Sequence, residues 1–355
     1  MPHVNVAPDY EVLARVLRDP TTIDRLSPEA FSRALDAAQR ARLLGWLVEQ
    51  VRAGHVPAAP PEWLRDRLVT VDALTTGYER AVRWEIDRLR RAFLDTGQMW
   101  VLLKGAGYIA AGLPPGRGRR VADIDILVPR ADLGRVEQIL QDNGWEFPEL
   151  NAYDNRYYRE WMHELPPMVH RDRRSVVDVH HGILPRTSRL KPAPDRLLQQ
   201  AETLGDGVRV LAPAHIVLHA AAHLFHDGEI AGAIRDLVDL DQLLRWFGRD
   251  ERFWKRLVEE TPAMDLARPL YYALRYSHRW FGTPVPDAVT AAMRTWAPPA
   301  PVRRLMDVLV DGAMMGTTGH SASASVFALY VRSHWLKMPP FLVVRHLLRK
   351  SLQRD

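Results

Sequence analysis

The chain contains no cysteine among its 355 residues. Disulfides, thiolate nucleophiles and cysteine-based zinc sites are therefore excluded. It also lacks an apolar run of transmembrane length, and its first residues lack the basic-then-apolar layout of a signal peptide. These absences predict a protein that has no membrane span and resides in the cytoplasm.

A strong charge of one sign is absent as well. The chain has 48 Lys and Arg and 43 Asp and Glu, which gives a net charge of +5. This mild excess permits an anionic substrate such as a nucleotide. It is too diffuse to indicate nucleic-acid binding, although RNA is not excluded as a partner. With 47% hydrophobic residues, the chain can bury a substantial core.

Two aspartates stand out in the stretch 101–128, VLLKGAGYIAAGLPPGRGRRVADIDILV. Its pattern predicts a strand, a turn, a short helix, a loop and a second strand. Because side chains alternate along a strand, Asp123 and Asp125 should point to the same side. The repulsion between two such carboxylates is best relieved by a hard divalent cation such as Mg²⁺.

A third carboxylate lies on the later run SVVDVHHGIL. Residues 168–170 and 175–181 predict a hairpin, whose second strand carries Asp178 and His180 on one face. We therefore expect a small mixed sheet with its carboxylates gathered on one side.

Four segments together resemble the nucleotidyltransferase superfamily of the polymerase-β type: LLKGAGYIAAG, Arg120, DIDILV and VDVHHGIL. They resemble most closely a poorly characterised bacterial branch of it, over about 99–184. The superfamily pattern is a strand, a glycine turn, a helix, Asp-x-Asp and a distant third Asp. Asp123, Asp125 and Asp178 occupy the places of those three aspartates.

The resemblance implies a metal-dependent enzyme that moves an NMP from an NTP, such as ATP, to a hydroxyl of an acceptor. The three aspartates would bind Mg²⁺ or Mn²⁺ and catalyse the transfer. Lys104, Gly105, Ala106 and Arg120 would bind the triphosphate. The acceptor could be a small molecule, a peptide, a sugar or RNA.

Ala106 departs from the superfamily, which has a serine or glycine at this turn. The missing hydroxyl keeps a second hypothesis open, in which the fold is a non-catalytic scaffold for a nucleotide or peptide. Retention of all three crowded aspartates argues for the enzyme.

A helix predicted over 213–225 carries His215, His219 and His223 at intervals of four, with His226 three further on. Three such positions span about 12 Å along one helix, so at most two could share a metal ion. This row of histidines, the histidine stripe, could instead line the active-site cleft, or its members could have ordinary roles in helix capping or packing.

The resemblance also implies a histidine-bearing helix followed by an Arg/Asp helix. It places His180, His219, His223, Arg235 and Asp239 on the acceptor side of the site. Arg235 and Asp239 lie one turn apart in a helix predicted over 233–246, which favours a mutual salt bridge.

Three further polar positions have an ordinary interpretation. Arg117 and Arg119 lie in a Gly/Pro-rich loop, where solvated charges are usual, so Arg120 is the better triphosphate ligand. His163 is more simply explained by packing or surface exposure.

The overall prediction is an α+β protein with a helical N-terminal region (1–97), a mixed-sheet core (98–184) and a helical C-terminal domain (185–355). Ser27 should cap a helix that starts at Pro28 and runs to Gly54, and a second long helix should follow over 62–94. The basic stretch 339–355 is predicted to form an amphipathic final helix.

Overall fold

The computed structural model describes residues 8–149, 152–227, 230, 233–314 and 320–337. The basic stretch 339–355 lies outside these residues. The helices are α1 (Pro8–Arg18), α2 (Pro28–Arg40), α3 (Leu44–Arg52), α4 (Glu62–Ala92), α5 (Lys104–Ala110), α6 (Leu133–Asp142), α7 (Ala152–Trp161), α8 (Pro194–Gln199), α9 (Pro213–Ala222), α10 (Ile234–Phe247), α11 (Glu251–Ala263), α12 (Ala267–Phe281), α13 (Asp287–Trp296), α14 (Ala300–Met314) and α15 (His320–Lys337).

The strands are β1 (Val101–Leu102), β2 (Asp123–Leu127), β3 (Trp145–Glu146), β4 (Met168–His170), β5 (Val176–His180), β6 (Glu202–Thr203) and β7 (Arg209–Val210). They form one sheet in the order β3-β4-β5-β2-β1-β7-β6. β2 pairs in parallel with β5 and antiparallel with β1, and β4 with β5 forms the predicted hairpin. The mixed sheet among many helices confirms the α+β prediction.

Two local predictions were wrong. The helix that Ser27 caps ends at Arg40, because Arg42 adopts a left-handed conformation (φ +57°) and the Leu43 amide donates to the Ala38 carbonyl. α3 then begins at Leu44. The region after residue 185 is not wholly helical, since β6 and β7 extend the sheet beyond β1.

The sheet separates two hydrophobic cores. Ile124 and Ile126 belong to the core that packs under α4 and α6. Leu127, on the opposite face of β2, belongs to a larger core that runs from Val12 to Leu329 and includes α9 and α10. By alternation, Asp123 and Asp125 share the Leu127 face, so the C-terminal helices lie on the carboxylate side of the sheet.

Candidate active site

The parallel pairing of β2 and β5 determines where the three aspartates lie. In this register Asp125 is directly opposite Asp178, and Asp123 is opposite Val176. Neighbouring parallel strands are about 4.8 Å apart, so side chains at paired positions on one face are neighbours. The structure thus brings together the three aspartates that the sequence singled out.

Asp125 is 3% exposed and accepts two hydrogen bonds on one oxygen. Lys104 Nζ lies 2.7 Å from its Oδ1, and His180 Nε2 lies 2.8 Å from the same atom. Burial by itself would raise the pKa of Asp125, but the Lys104 ammonium and His180 outweigh it and lower that pKa. Asp125 is therefore a buried carboxylate with two partners, the half-buried Lys104 and the buried His180.

Lys104 reaches this position from a tight turn between β1 and α5. Its φ is +43°, and the preceding residue, Leu103, donates its amide to the Asp125 carbonyl at 3.0 Å. Burial opposes the charge of Lys104, but Asp125 compensates and raises the pKa of the ammonium. Lys104 therefore stays cationic beside Asp125.

Asp178 contrasts with Asp125, because its Oδ1 is buried and has no hydrogen-bond partner among the described residues. Burial, followed by repulsion from Asp125 and Glu164, raises the pKa of Asp178 to about 7. Two adjacent carboxylates thus have opposite pKa shifts, as expected when one has cationic partners and the other has none.

Glu164 is a fourth carboxylate at the site, and sequence reasoning missed it. The segment that contains it runs along the end of β5, where the Leu165 amide donates to Val179 at 2.8 Å. Glu164 Oε2 lies 3.3 Å from His180 Nδ1. The only signal in the sequence is that Glu164 follows His163 just before Leu-Pro-Pro, a context typical of an extended segment.

His180 consequently lies between two carboxylates and is 1% exposed. Burial would lower its pKa, but Asp125 and then Glu164 raise it above its ordinary value. One potential ligand atom each from His163, Glu164 and His180 lie within 4.8 Å of one another. A histidine and carboxylate cluster therefore adjoins the aspartates.

Family comparison agrees with this geometry. A family model described as an uncharacterised nucleotidyltransferase matches residues 27–282, well over half of the chain. The chain belongs to this family. The match confirms the resemblance, and it extends from the start of α2 to the end of α12. No curated protein matches the chain.

The glycine turn of this nucleotidyltransferase is closely packed. A Cβ on Gly105 would lie 2.8 Å from Arg119 Nε. Ala106 is fully buried in the core under α4 and α6. Arg120 is exposed, with its guanidinium 5.9 Å from the centre of the Tyr78 ring.

Arg119 is the arginine of this loop that the fold buries. It forms a close ion pair with Asp239 on α10 and lies 5.4 Å from the centre of the Tyr108 ring. The predicted Arg235–Asp239 salt bridge is therefore wrong, since Asp239 has Arg119 as its ion-pair partner. Sequence spacing identified neighbours along one helix, whereas the actual partner comes from a loop 120 residues away.

The predicted histidine stripe is divided. α9 ends at Ala222, and a π-helical turn, His223–Asp227, follows it, which changes the direction of the later side chains. His215 contacts Glu260 at 3.1 Å, and His226 contacts Ser188 at 2.6 Å.

His219 differs from these two histidines because it interacts electrostatically with Lys104 and Asp125 of the carboxylate cluster. Burial, then the charge of Lys104, lowers the pKa of His219 well below its ordinary value. A neutral imidazole of α9 therefore lies near Lys104.

The donor set at the carboxylates suits a divalent cation. Carboxylate oxygens are the ligands that Mg²⁺ and Mn²⁺ prefer. The unpartnered oxygen of Asp178 and its raised pKa are the features that a bound cation would relieve.

In the part of the chain that the structure describes, no helix is long and apolar enough to cross a membrane.

Proposed function

We propose that this protein is a metal-dependent enzyme that transfers an NMP from an NTP to a hydroxyl group of an acceptor and releases pyrophosphate. The observation that supports this most directly is the parallel register that sets Asp178 beside Asp125, with an unpartnered oxygen on Asp178. Together with Asp123, two residues before Asp125 on the same face of β2, this pair has the carboxylates that metal-assisted phosphoryl transfer needs.

Asp123, Asp125 and Asp178 would hold Mg²⁺ or Mn²⁺. When bound, the cation supplies positive charge to the triphosphate and lowers the pKa of an acceptor hydroxyl. Asp178 would also take the proton of that hydroxyl as a general base, a role for which its carboxylate beside Asp125 is suited. Glu164 would hold His180 in its orientation through the 3.3 Å contact.

The triphosphate would lie on the β1–α5 turn. Lys104 adds a positive charge beside Asp125, and Arg120 is exposed at the entrance to β2. The backbone of Gly105 and Ala106 would contact phosphate oxygens. Because the Ala106 methyl group is buried, we infer that contacts at this turn come from the main chain.

The acceptor would approach from the side of the C-terminal helices. His180, His219, His223, Arg235 and Asp239 are the residues assigned to this side. The assignment is supported by the position of the α9 and α10 core on the carboxylate face of the sheet and by the interaction of His219 with Lys104.

A binding scaffold without turnover is the second candidate. It is favoured by the two hydrogen bonds on Asp125, because Lys104 and His180 satisfy that carboxylate without a metal ion. A scaffold of this kind would bind nucleotide or peptide and release it unchanged.

The decisive experiment is incubation with each α-labelled NTP, Mg²⁺ or Mn²⁺ and a cell extract, with nucleotide binding measured separately. Asp178→Asn should abolish labelling of the acceptor. Asp172→Asn, on the exposed turn of the β4–β5 hairpin, is the matched control and should retain it. Nucleotide binding without any label would favour the scaffold, and absence of metal-dependent nucleotide binding would contradict the transferase.

A further inference from the structure

A second basic site lies on the other side of Arg119 from the glycine turn. It is a small pocket between the start of α3, the loop before β2, and α10. Four arginines line it: Arg42, Arg117, Arg119 and Arg235. Asp239 is its one acidic lining residue. We call it the arginine pocket.

Two of the four arginines have acidic partners. Arg119 pairs with Asp239, and Arg117 lies 3.4 Å from Glu49. The guanidinium groups of Arg42 and Arg235 form no ion pair or hydrogen bond with any other residue that the structure describes. The arginine pocket therefore has four guanidinium groups, of which only two are paired with a carboxylate.

Arg235 is the more informative of these two, because it is half-buried on α10. Burial, then repulsion from Arg119, lowers the pKa of Arg235, and Asp239 and Asp236 only partly oppose this. Asp236 does not line the pocket. A half-buried guanidinium beside other guanidiniums is electrostatically unfavourable unless an anion joins them.

Arg42 is held towards the pocket by an unusual backbone. It lies two residues after the end of α2 with φ +57°, a conformation that glycine or asparagine adopts at lower cost. The neighbouring Trp46 and Pro114 give the pocket an apolar wall beside its cationic groups.

We propose that the arginine pocket binds the phosphate group of a small phosphate ester, with Arg42 and Arg235 as its direct ligands. Two unpaired guanidiniums match the charge of a phosphate dianion, and their planar forks suit its oxygens. Arg119, fixed by Asp239, forms the wall towards Gly105. Arg235 is also assigned to the acceptor side of the proposed active site, but phosphate binding needs no metal ion, so it can be tested apart from the proposed transferase activity.

The test is thermal unfolding and calorimetric titration of the full chain with inorganic phosphate, in EDTA and at constant ionic strength. We expect phosphate to raise the melting temperature of the wild-type protein. Arg235→Gln should weaken phosphate binding about tenfold or more, since a charge-assisted hydrogen bond contributes about 1.5–3 kcal/mol.

Arg42→Gly is the second variant, and glycine suits the backbone at this position. It should fold at least as well as the wild type in the absence of phosphate, yet bind phosphate more weakly. Arg304→Gln, at an exposed position of α14, is the matched control and should bind like the wild type.

Three results would overturn the proposal: no phosphate binding by the wild type, equal binding by all variants, or equal stabilisation by acetate and phosphate. The last would assign the pocket to a carboxylate. Because EDTA removes divalent ions, none of these results depends on whether the aspartates bind a metal.

Discussion

Asp125 is the acceptor of two basic groups in the candidate active site, the half-buried Lys104 and the buried His180. From the sequence alone, Asp125 is one of several crowded carboxylates that repel one another. Asp125→Ala would relieve this repulsion, so the variant should have an equal or higher melting temperature. The structure changes this expectation, because Lys104 and His180 both donate to Asp125 Oδ1. Removing the carboxylate would leave Lys104 and His180 without this acceptor.

We therefore predict that Asp125→Asn lowers the free energy of unfolding by about 3–5 kcal/mol, the cost of breaking a buried ion pair from one side. Urea unfolding without divalent ions measures this change. Asp123→Asn is the control and should change stability little, since Asp123 is half-buried and has no ion-pair partner in the described ranges. Equal stability of both variants would contradict the dependence on Asp125.

Asp178 provides a prediction of pH dependence. Its folded pKa of about 7 is above the ordinary value of 3.8, so between these values the folded state retains a proton that the unfolded state has released. The contribution of Asp178 to stability is therefore greatest at low pH and is lost as the pH rises towards 7. Asn at this position cannot titrate.

We predict that Asp178→Asn and the wild type have similar stability at pH 4, and that the variant is more stable by roughly 2–4 kcal/mol at pH 8. Urea unfolding at a series of pH values in EDTA measures the difference. A difference that stays constant with pH would show that Asp178 titrates normally in the folded protein.

At the scale of elements, α3 makes a close backbone contact with the loop before β2. A Cβ on Gly45 would lie 2.5 Å from the Gly118 carbonyl oxygen and 2.7 Å from that of Arg117. This loop leads to Arg119, and through the Arg119–Asp239 pair it is linked to α10. The contact therefore helps to position the loop at the entrance to β2.

We predict that Gly45→Ala destabilises the protein by about 1–3 kcal/mol, because backbone atoms of the loop must move. Gly77→Ala is the matched control, since Gly77 is exposed within α4 and an added Cβ would meet no atom within 4 Å. It should stabilise the protein by about 0.5–1 kcal/mol through helix propensity. Chemical denaturation distinguishes the two, and equal effects would contradict the close contact.

For the whole molecule, one hydrophobic core joins all three sequence regions. It includes Phe31 and Leu47 from the N-terminal helices, Val101 and Leu127 from the sheet, and many residues of the C-terminal helices, such as Leu237. Hydrophobic stabilisation scales with the apolar area that is buried, and all three regions contribute buried side chains to this core. The division into 1–97, 98–184 and 185–355 stays a prediction.

We predict that a fragment of residues 98–184 does not fold alone, since it lacks β6, β7 and the helices that cover the carboxylate face. Far-ultraviolet circular dichroism and protease resistance would measure its folding. The full chain should unfold in urea as one transition. A protease-resistant fragment with native-like strand content would contradict this prediction.

The sequence by itself determined the local elements and the chemistry they carry. Alternation predicted the β4–β5 hairpin and the shared face of Asp123 and Asp125, because side-chain direction in a strand depends only on position along the chain. Ser27 and Pro28 similarly located the start of α2. These features arise from interactions between near neighbours, which a sequence displays directly.

The tertiary structure decided which of these groups meet. The parallel register of β2 and β5, the bonds of Lys104 and His180 to Asp125, the approach of Glu164, and the Arg119–Asp239 pair all join residues far apart in sequence. No local pattern encodes them, because each depends on how the helices and the sheet bury their apolar faces against one another. That packing places Asp178, with one oxygen that has no partner among the described residues, beside Asp125, which accepts from Lys104 and His180, and the proposed chemistry uses this difference.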